Sequence, residues 1–417
     1  MVADMKINNK RFVLFLFFLS WLVYFISYIG RLNYSAAMTL MMKESILSKS
    51  QAGFISMLYF GLYGMGQLCN GILGDRINPK KMIFLGLFIS AIANLAMGVR
   101  HIFLIYAVIW GINGYAQSMI WPPILRIFSE KLNEKEKLKA CVDIVSSQVG
   151  GTFMAYLISS LVIWLWGWRA VFFAASVLLF FVSLFWLWGF KKIERISPMP
   201  DNRNKGSRVK NIPQKESNII LLILHYGLPA AFFPVLVHGI LKDGITTWIP
   251  TYISESFFTS PSFSVLITAC IPIINLSGAY LAKYIYKKSR NNEFCSASYF
   301  FAISGIALLG IYLARGRCLF LTILFFSLTT LSMMGVNTLF VNILPLKFER
   351  INKVSTVSGF FNAIAYGGCA ISTYGIGLFV EKSGWALTIT SWFALTVLAF
   401  FLCLIFRKKE LTSIGSI

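Results

Sequence analysis

An arginine lies deep inside the first apolar run of the chain. The nearest charged residues are Arg11 and Lys43, roughly 30 Å and 18 Å away along a helix that rises about 1.5 Å per residue. A guanidinium near the middle of a bilayer costs about 2.5–3.5 kcal/mol on insertion scales, so Arg31 should face a bundle interior or a watery cavity. Tyr24, Tyr28 and Arg31 are spaced i, i+4, i+7 and share one helix face. We interpret this face as part of an anion site. The alternative is a buried structural arginine paired with carbonyls or another helix.

A second deep cation, Lys242, lies in the seventh apolar run. His238 is four residues earlier and shares its helix face. Arg31 and Lys242 are therefore predicted to hold one anion from two sides. The alternative for Lys242 is neutralisation by Asp243. Adjacent residues point about 100° apart on a helix, so we expect Asp243 to meet another helix or the cavity instead.

The composition is that of an integral membrane protein. Of 417 residues, 57% are hydrophobic and 13% are charged, against about 25% charged in soluble proteins. The net charge of +22 could indicate nucleic-acid binding, but the basic residues lie in short segments between apolar runs, so no nucleic acid is expected. The seven cysteines are scattered without metal or redox spacing. With no nucleophile elbow or phosphate loop either, we expect no enzyme, no cofactor and no metal.

About twelve runs are long enough to span a bilayer. The predicted spans are roughly 12–41, 50–73, 82–99, 102–128, 140–165, 169–190, 228–253, 263–286, 295–314, 318–344, 354–380 and 385–406. Residues 1–190 and 228–417 are the two predicted six-helix bundles, and 191–227 is a polar linker. Lys and Arg concentrate in alternate loops, which predicts a multi-pass protein of the cytoplasmic (inner) membrane with both termini in the cytoplasm. The predicted fold is all-α, with two pseudo-symmetric bundles and a site between them near mid-membrane.

The loop after the second run reads Gly71-Ile-Leu-Gly-Asp75-Arg76-Ile-Asn-Pro-Lys80-Lys81. It resembles the signature loop of the major facilitator superfamily, which lies between the second and third spans. The resemblance implies that an acid and a basic cluster latch the two halves together on the cytoplasmic side. The expected gating residues are Asp75, Arg76, Lys80 and Lys81.

Further stretches resemble the organophosphate:phosphate antiporters, the family of glycerol-3-phosphate and hexose-phosphate carriers. These stretches are Tyr24–Asn33, Asp75–Pro79, Gln117–Pro123, Val149–Gly151, Gly244–Tyr252 and Ser358–Gly368. The resemblance implies a substrate phosphate held between Arg31 and Lys242, with tyrosines nearby. The predicted substrate contacts are Arg31, Lys242, Tyr24, Tyr28, Tyr63, Gln67, Ser147, His238 and Tyr366.

Several of these positions depart from the glycerol-phosphate carrier, which has a lysine at Gln67, a histidine at Ser147 and an arginine at Lys242. Lysine lacks the bidentate fork of arginine, and Asp243 adds a carboxylate. The lower positive charge makes a monoanion credible beside a dianionic phosphate ester. The run around Arg31 also resembles the anion:cation symporters, which move sugar acids with protons, although those carry an acid where this chain has Gly30.

The leading hypothesis is a monomeric secondary transporter in the lipid bilayer. It would carry a small organic anion by alternating access, in exchange for inorganic phosphate. One alternative is a proton-coupled symporter of organic carboxylates such as sugar acids, with Asp243 as the first candidate for proton coupling and His238 as the second. Another is a transporter-like membrane sensor of sugar phosphates.

Overall fold

The computed structural model describes residues 6–407, except positions 8, 75–76, 100–101, 134–135, 137–138, 141–142, 198–226, 315 and 352–353. Within these residues all regular structure is helical. An apolar chain in lipid must satisfy its backbone hydrogen bonds within each segment, and a helix does this. The helices, in chain order, are α1 Lys10–Lys43, α2 Lys49–Gly74, α3 Pro79–Met97, α4 Phe103–Ser118, α5 Trp121–Lys131, α6 Val145–Ile196, α7 Phe232–Gly239, α8 Ile245–Ser256, α9 Pro261–Thr268, α10 Ile271–Lys288, α11 Glu293–Ala314, α12 Leu319–Asn337 and α13 Val354–Phe406.

Several helices begin at side chains that cap their free amide groups. Asn9 accepts a hydrogen bond from the Arg11 amide at the start of α1, and Asn78 accepts one from the Lys80 amide at the start of α3. Ser260 caps α9 in the same way. Proline follows Asn78 and Ser260 directly, at a position where its missing N–H costs nothing. These local signals set where the three helices begin.

Nine helical segments of the described chain are long and apolar enough to cross a membrane. The 52-residue α6 and the 53-residue α13 would each be about 80 Å long if straight, over twice the thickness of a lipid core. Each contains one residue with non-helical geometry: Gly167 has φ 78° and ψ −177°, and Gly384 has φ 74° and ψ 179°. Only glycine adopts this conformation readily, so each helix is divided into two spans. Counting these halves separately gives eleven segments, and the 26-residue α2, which is long enough to span but is not among the nine, brings the total to the predicted number of about twelve.

The two glycine breaks have matching surroundings. Trp168, just after the first break, donates its indole N–H to Glu44 at the end of α1 over 3.0 Å. Trp385, just after the second break, donates to Glu255 near the end of α8 over 2.9 Å. The same contact therefore recurs at corresponding places in the two halves, as expected of a pseudo-symmetric repeat.

The chain forms two compact units. Unit 1 comprises Met1–Asn202 and Thr259–Ile273, and unit 2 comprises Arg203–Phe258 and Ile274–Ile417. The short helix α9 groups with unit 1, where Ser160 of α6 donates a hydrogen bond to the Ser262 carbonyl over 2.8 Å. Helix α6 continues to Ile196 and so includes the first six residues of the predicted linker. Most of the linker lies outside the described residues. The division into bundles at 1–190 and 228–417 stays a prediction.

Candidate functional site

Arg31 lies in the middle of α1 and is only 6% exposed. Four aromatic rings surround its guanidinium among the described residues; we call them the aromatic cage. Their centroids lie 5.3 Å (Tyr28), 6.0 Å (Tyr59), 5.5 Å (Phe60) and 4.8 Å (Tyr63) from the guanidinium carbon. Each such contact is worth about 0.5–2 kcal/mol. The rings offset part of the desolvation cost of Arg31 and, being neutral, leave its positive charge in place.

Close helix packing brings the cage together. Tyr59 and Tyr63 are four residues apart on α2, and their rings stack 6.2 Å apart. Gly114 of α4 lies so close to α2 that a Cβ there would be 2.2 Å from the Tyr59 carbonyl oxygen. Gly151 of α6 lies equally close to α1, since its Cβ would be 2.5 Å from the Phe25 carbonyl oxygen. The absence of these two side chains lets α1 and α2 approach their neighbours.

The predicted tyrosine face is present in the structure. The ring of Tyr24 lies 5.3 Å from that of Tyr28, edge to face, and 4.8 Å from that of Trp121. Tyr28 and Tyr63, both predicted near the anion, belong to the cage. Sequence reasoning missed Tyr59 and Phe60. The i, i+4 spacing of Tyr59 and Tyr63 was the available signal.

In unit 2, Lys242 and Asp243 lie on a π-helical turn, Ile240–Gly244, between α7 and α8. The Lys242 ammonium lies 3.0 Å and 3.2 Å from the two Asp243 carboxylate oxygens. The expectation that an ion pair between these adjacent residues is geometrically poor was therefore wrong. A π turn holds more residues than an α turn, so successive side chains diverge less, and the long lysine side chain can reach the adjacent carboxylate. His238 is buried one turn earlier, 1% exposed.

The other predicted substrate contacts lie on three helices. Gln67 is buried on α2, and Tyr366 is half-buried on α13. Ser147 of α6 is buried and donates its hydroxyl proton to the Ile144 carbonyl over 2.6 Å, so it can offer a ligand only lone pairs. Arg31 belongs to unit 1 and Lys242 to unit 2, and their joint anion site stays a prediction.

The predicted gating loop is described only in part. Asp75 and Arg76 lie outside the described residues. The Lys80 ammonium lies 2.6 Å from a Glu194 carboxylate oxygen, which ties α3 to α6. Lys81 is exposed. In the part of the chain that is described, no group of three or more His, Cys, Asp or Glu residues is arranged to hold a metal.

Comparison with known proteins shows which family this chain belongs to. The sequence is 22% identical to a probable hexose phosphate transport protein of Chlamydia trachomatis, over 92% of this chain and 89% of that protein. It is 26% identical to the glycerol-3-phosphate transporter of Bacillus subtilis, over 63% of this chain and 62% of that protein. The fold is similar to that of a bacterial homologue of the human lysosomal transporter Spinster in an inward-facing, occupied conformation, with a TM-score of 0.75, 15% identity and coverage of 97% and 98% of the two chains. The family model of the Major Facilitator Superfamily matches residues 20–373. The chain therefore belongs to the major facilitator superfamily and resembles its organophosphate:phosphate antiporters.

Proposed function

We propose that this protein is a secondary transporter of a small organic anion, a phosphate ester or similar, working by alternating access in exchange for inorganic phosphate. The observation that supports this most is the burial of Arg31 in a membrane helix among four neutral rings. A charge kept at this depth is a functional feature by default. The names of the two relatives point to phosphate esters.

The chemistry of the cage suits a phosphoryl group. A guanidinium can give a phosphate two parallel charge-assisted hydrogen bonds, and the phenols of Tyr28 and Tyr63 are further donors. The rings limit water, so each of these hydrogen bonds is stronger than in solution. Binding of the anion would favour an occluded state, from which the two halves rock about the site to open on either side.

The orientation and assembly are part of the same proposal. The excess of Lys and Arg in alternate loops supports both termini in the cytoplasm and insertion in the cytoplasmic membrane. The protein would act as a monomer, with Lys242 of the second bundle supplying the other cation of the site.

A second candidate function is proton-coupled symport of an organic carboxylate. It is favoured by the contact of 3.0 Å between the Lys242 ammonium and the Asp243 carboxylate. An incoming anion and the Asp243 carboxylate would compete for the same ammonium. Protonation of Asp243 would end that competition and link anion binding to a proton.

Counterflow in proteoliposomes tests the first proposal. Vesicles holding purified protein and unlabelled phosphate are given labelled phosphate, then labelled glycerol 3-phosphate and glucose 6-phosphate. We expect uptake that needs internal phosphate and is lost with Arg31→Ala. The matched control is Arg169→Ala, an arginine whose guanidinium lies 4.6 Å from the Trp168 ring centroid near the first glycine break.

The possible outcomes separate the two candidates. No exchange of any of these anions by folded wild-type protein would refute the exchanger. Uptake of an organic carboxylate that is driven by a pH gradient and lost with Asp243→Asn would favour the symporter instead.

A further inference from the structure

Beside Gly30 of α1, five buried polar side chains form one hydrogen-bonded cluster. They are Asn33 of α1, Ser90 and Asn94 of α3, and Asn113 and Gln117 of α4, each at most 3% exposed. We call them the amide cluster. Polar side chains at this depth are expensive unless they are hydrogen-bonded, so their contacts are informative.

Two of these carboxamides bind the same main-chain atom. Asn94 and Asn113 each donate an Nδ2–H to the Gly30 carbonyl oxygen, over 3.1 Å and 3.0 Å. This carbonyl belongs to the peptide unit that joins Gly30 to Arg31, and within α1 it also faces the amide four residues ahead. A Cβ at Gly30 would lie 3.4 Å from the Asn94 Nδ2 atom, so the carboxamide lies directly beside this turn of α1.

The remaining bonds hold the two asparagines in orientation. The Asn94 oxygen accepts from Asn33 over 2.7 Å, and the second Asn94 N–H donates to the Ser90 carbonyl over 2.9 Å. The Ser90 hydroxyl donates to the Asn113 oxygen over 2.5 Å and accepts from Gln117 over 2.8 Å. Hydrogen bonds fix direction as well as distance. The cluster therefore sets both the height and the rotation of α1 against α3 and α4.

We infer that Asn94 and Asn113 are positioning residues of the anion site, which hold the peptide unit of Arg31 so that its guanidinium stays inside the aromatic cage. This inference rests on the proposed function, because it assigns Arg31 to anion binding. The cage rings come from α1 and α2, while the two asparagines come from α3 and α4. Four helices therefore meet at one arginine, two to surround its charge and two to hold its backbone.

The test compares Asn113 with an asparagine of unit 2. Asn113→Leu removes a bond to the Arg31 peptide unit. Asn275→Leu is the matched control: Asn275 of α10 accepts a hydrogen bond from the Thr330 hydroxyl of α12 over 2.8 Å and belongs to unit 2. The readout is the KM and kcat of phosphate and glycerol 3-phosphate uptake into proteoliposomes, with the amount of folded protein measured in parallel.

A positioning role predicts that Asn113→Leu raises KM by about tenfold, in keeping with the steep cost of misplacing a binding group. Asn275→Leu should leave KM within about twofold of wild type, even if it lowers thermal stability as much. Equal KM values for the two variants would overturn the inference. If Asn113→Leu fails to reach the membrane, Asn113→Ser replaces it under the same expectation.

A second measurement does not depend on transport. The thiol introduced by Arg31→Cys is alkylated with N-ethylmaleimide, and the modified peptide is quantified by mass spectrometry. Adding Asn113→Leu should change the rate of alkylation at position 31 several-fold, while adding Asn275→Leu should not. Equal rates in all three proteins would refute positioning by Asn113. If wild-type protein moves none of the tested anions, the proposed function fails, and the alkylation rates still decide the role of the asparagines.

Discussion

A single methyl group on α4 should displace the aromatic cage. In Gly114→Ala the new Cβ would lie 2.2 Å from the Tyr59 carbonyl oxygen, 3.0 Å from its carbonyl carbon and 3.1 Å from its Cα. All three atoms are main chain, so no rotamer change relieves the contact. An ordinary van der Waals distance starts near 3.4 Å, so α2 must move by about 1 Å, at an overpacking cost of about 1–3 kcal/mol.

This movement has a functional consequence because α2 carries three of the four rings around Arg31. A misplacement of about 1 Å can reduce activity about 10²-fold, and we expect kcat/KM for uptake in proteoliposomes to fall by about that factor. Gly111→Ala is the control on the same helix. Its Cβ would meet only the end of the Leu62 side chain, at 2.8 Å, while the nearest main-chain atom lies 3.9 Å away. Leu62 can rotate, so this variant should keep most of its activity.

The assay needs both variants at equal amounts of folded, reconstituted protein. Initial rates of phosphate uptake give kcat/KM, and thermal unfolding in detergent gives the stability change. Gly114→Ala with the same uptake and the same unfolding temperature as Gly111→Ala would refute the close packing of α2 on α4 as the feature that positions the cage.

Three further predictions concern single charges. Arg31→Lys keeps the charge but removes the planar fork, and should lower phosphate uptake at least about tenfold; wild-type rates would contradict a bidentate role. Burial lowers the pKa of Lys131 to about 8. This pKa lies below the ordinary value of 10.5, so the folded protein binds fewer protons than the unfolded chain between about pH 8 and 10.5. The free energy of unfolding therefore rises with pH across that window, and burial of Lys131 is unfavourable at neutral pH. Lys131→Met should flatten the rise in unfolding temperature measured from pH 7.5 to 10.5. An unchanged slope would show that Lys131 does not cause the rise. Lys347→Ala leaves the buried Glu293 carboxylate without an ammonium that lies 2.7 Å away, although Tyr286 still donates to it. We expect Lys347→Ala to lower the free energy of unfolding by about 1–3 kcal/mol, and the addition of Glu293→Gln to restore part of it. An unchanged unfolding temperature for Lys347→Ala would show that the ion pair is too solvated to contribute to stability.

Much of the architecture could be predicted because the bilayer constrains short segments separately. Each span must be apolar over about 20 residues and helical throughout, and both properties are local. The same constraint predicted the burial of Arg31, since lipid offers a mid-span arginine no other place. The glycine breaks at Gly167 and Gly384 also follow from sequence, because each lies between two apolar runs.

The composition of the site depended on tertiary structure. Tyr59 and Phe60 belong to α2 and Arg31 to α1, so their contact depends on how the two helices pack, which no pattern within α2 contains. Asn94 and Asn113 meet at one carbonyl although they lie on different helices and more than 60 residues from it along the chain. Lys242 pairs with Asp243 because a π turn replaces the α geometry assumed from sequence.

Sequence alone therefore predicts the class of the protein, its spans and the position of Arg31 deep within the first span. Hydropathy and charge act on each segment in turn, whatever lies beside it. Which side chains share a site depends instead on how the helices pack. Helix separation and rotation are set to within about an ångström by the small residues at each crossing, and those residues come from segments far apart in the chain.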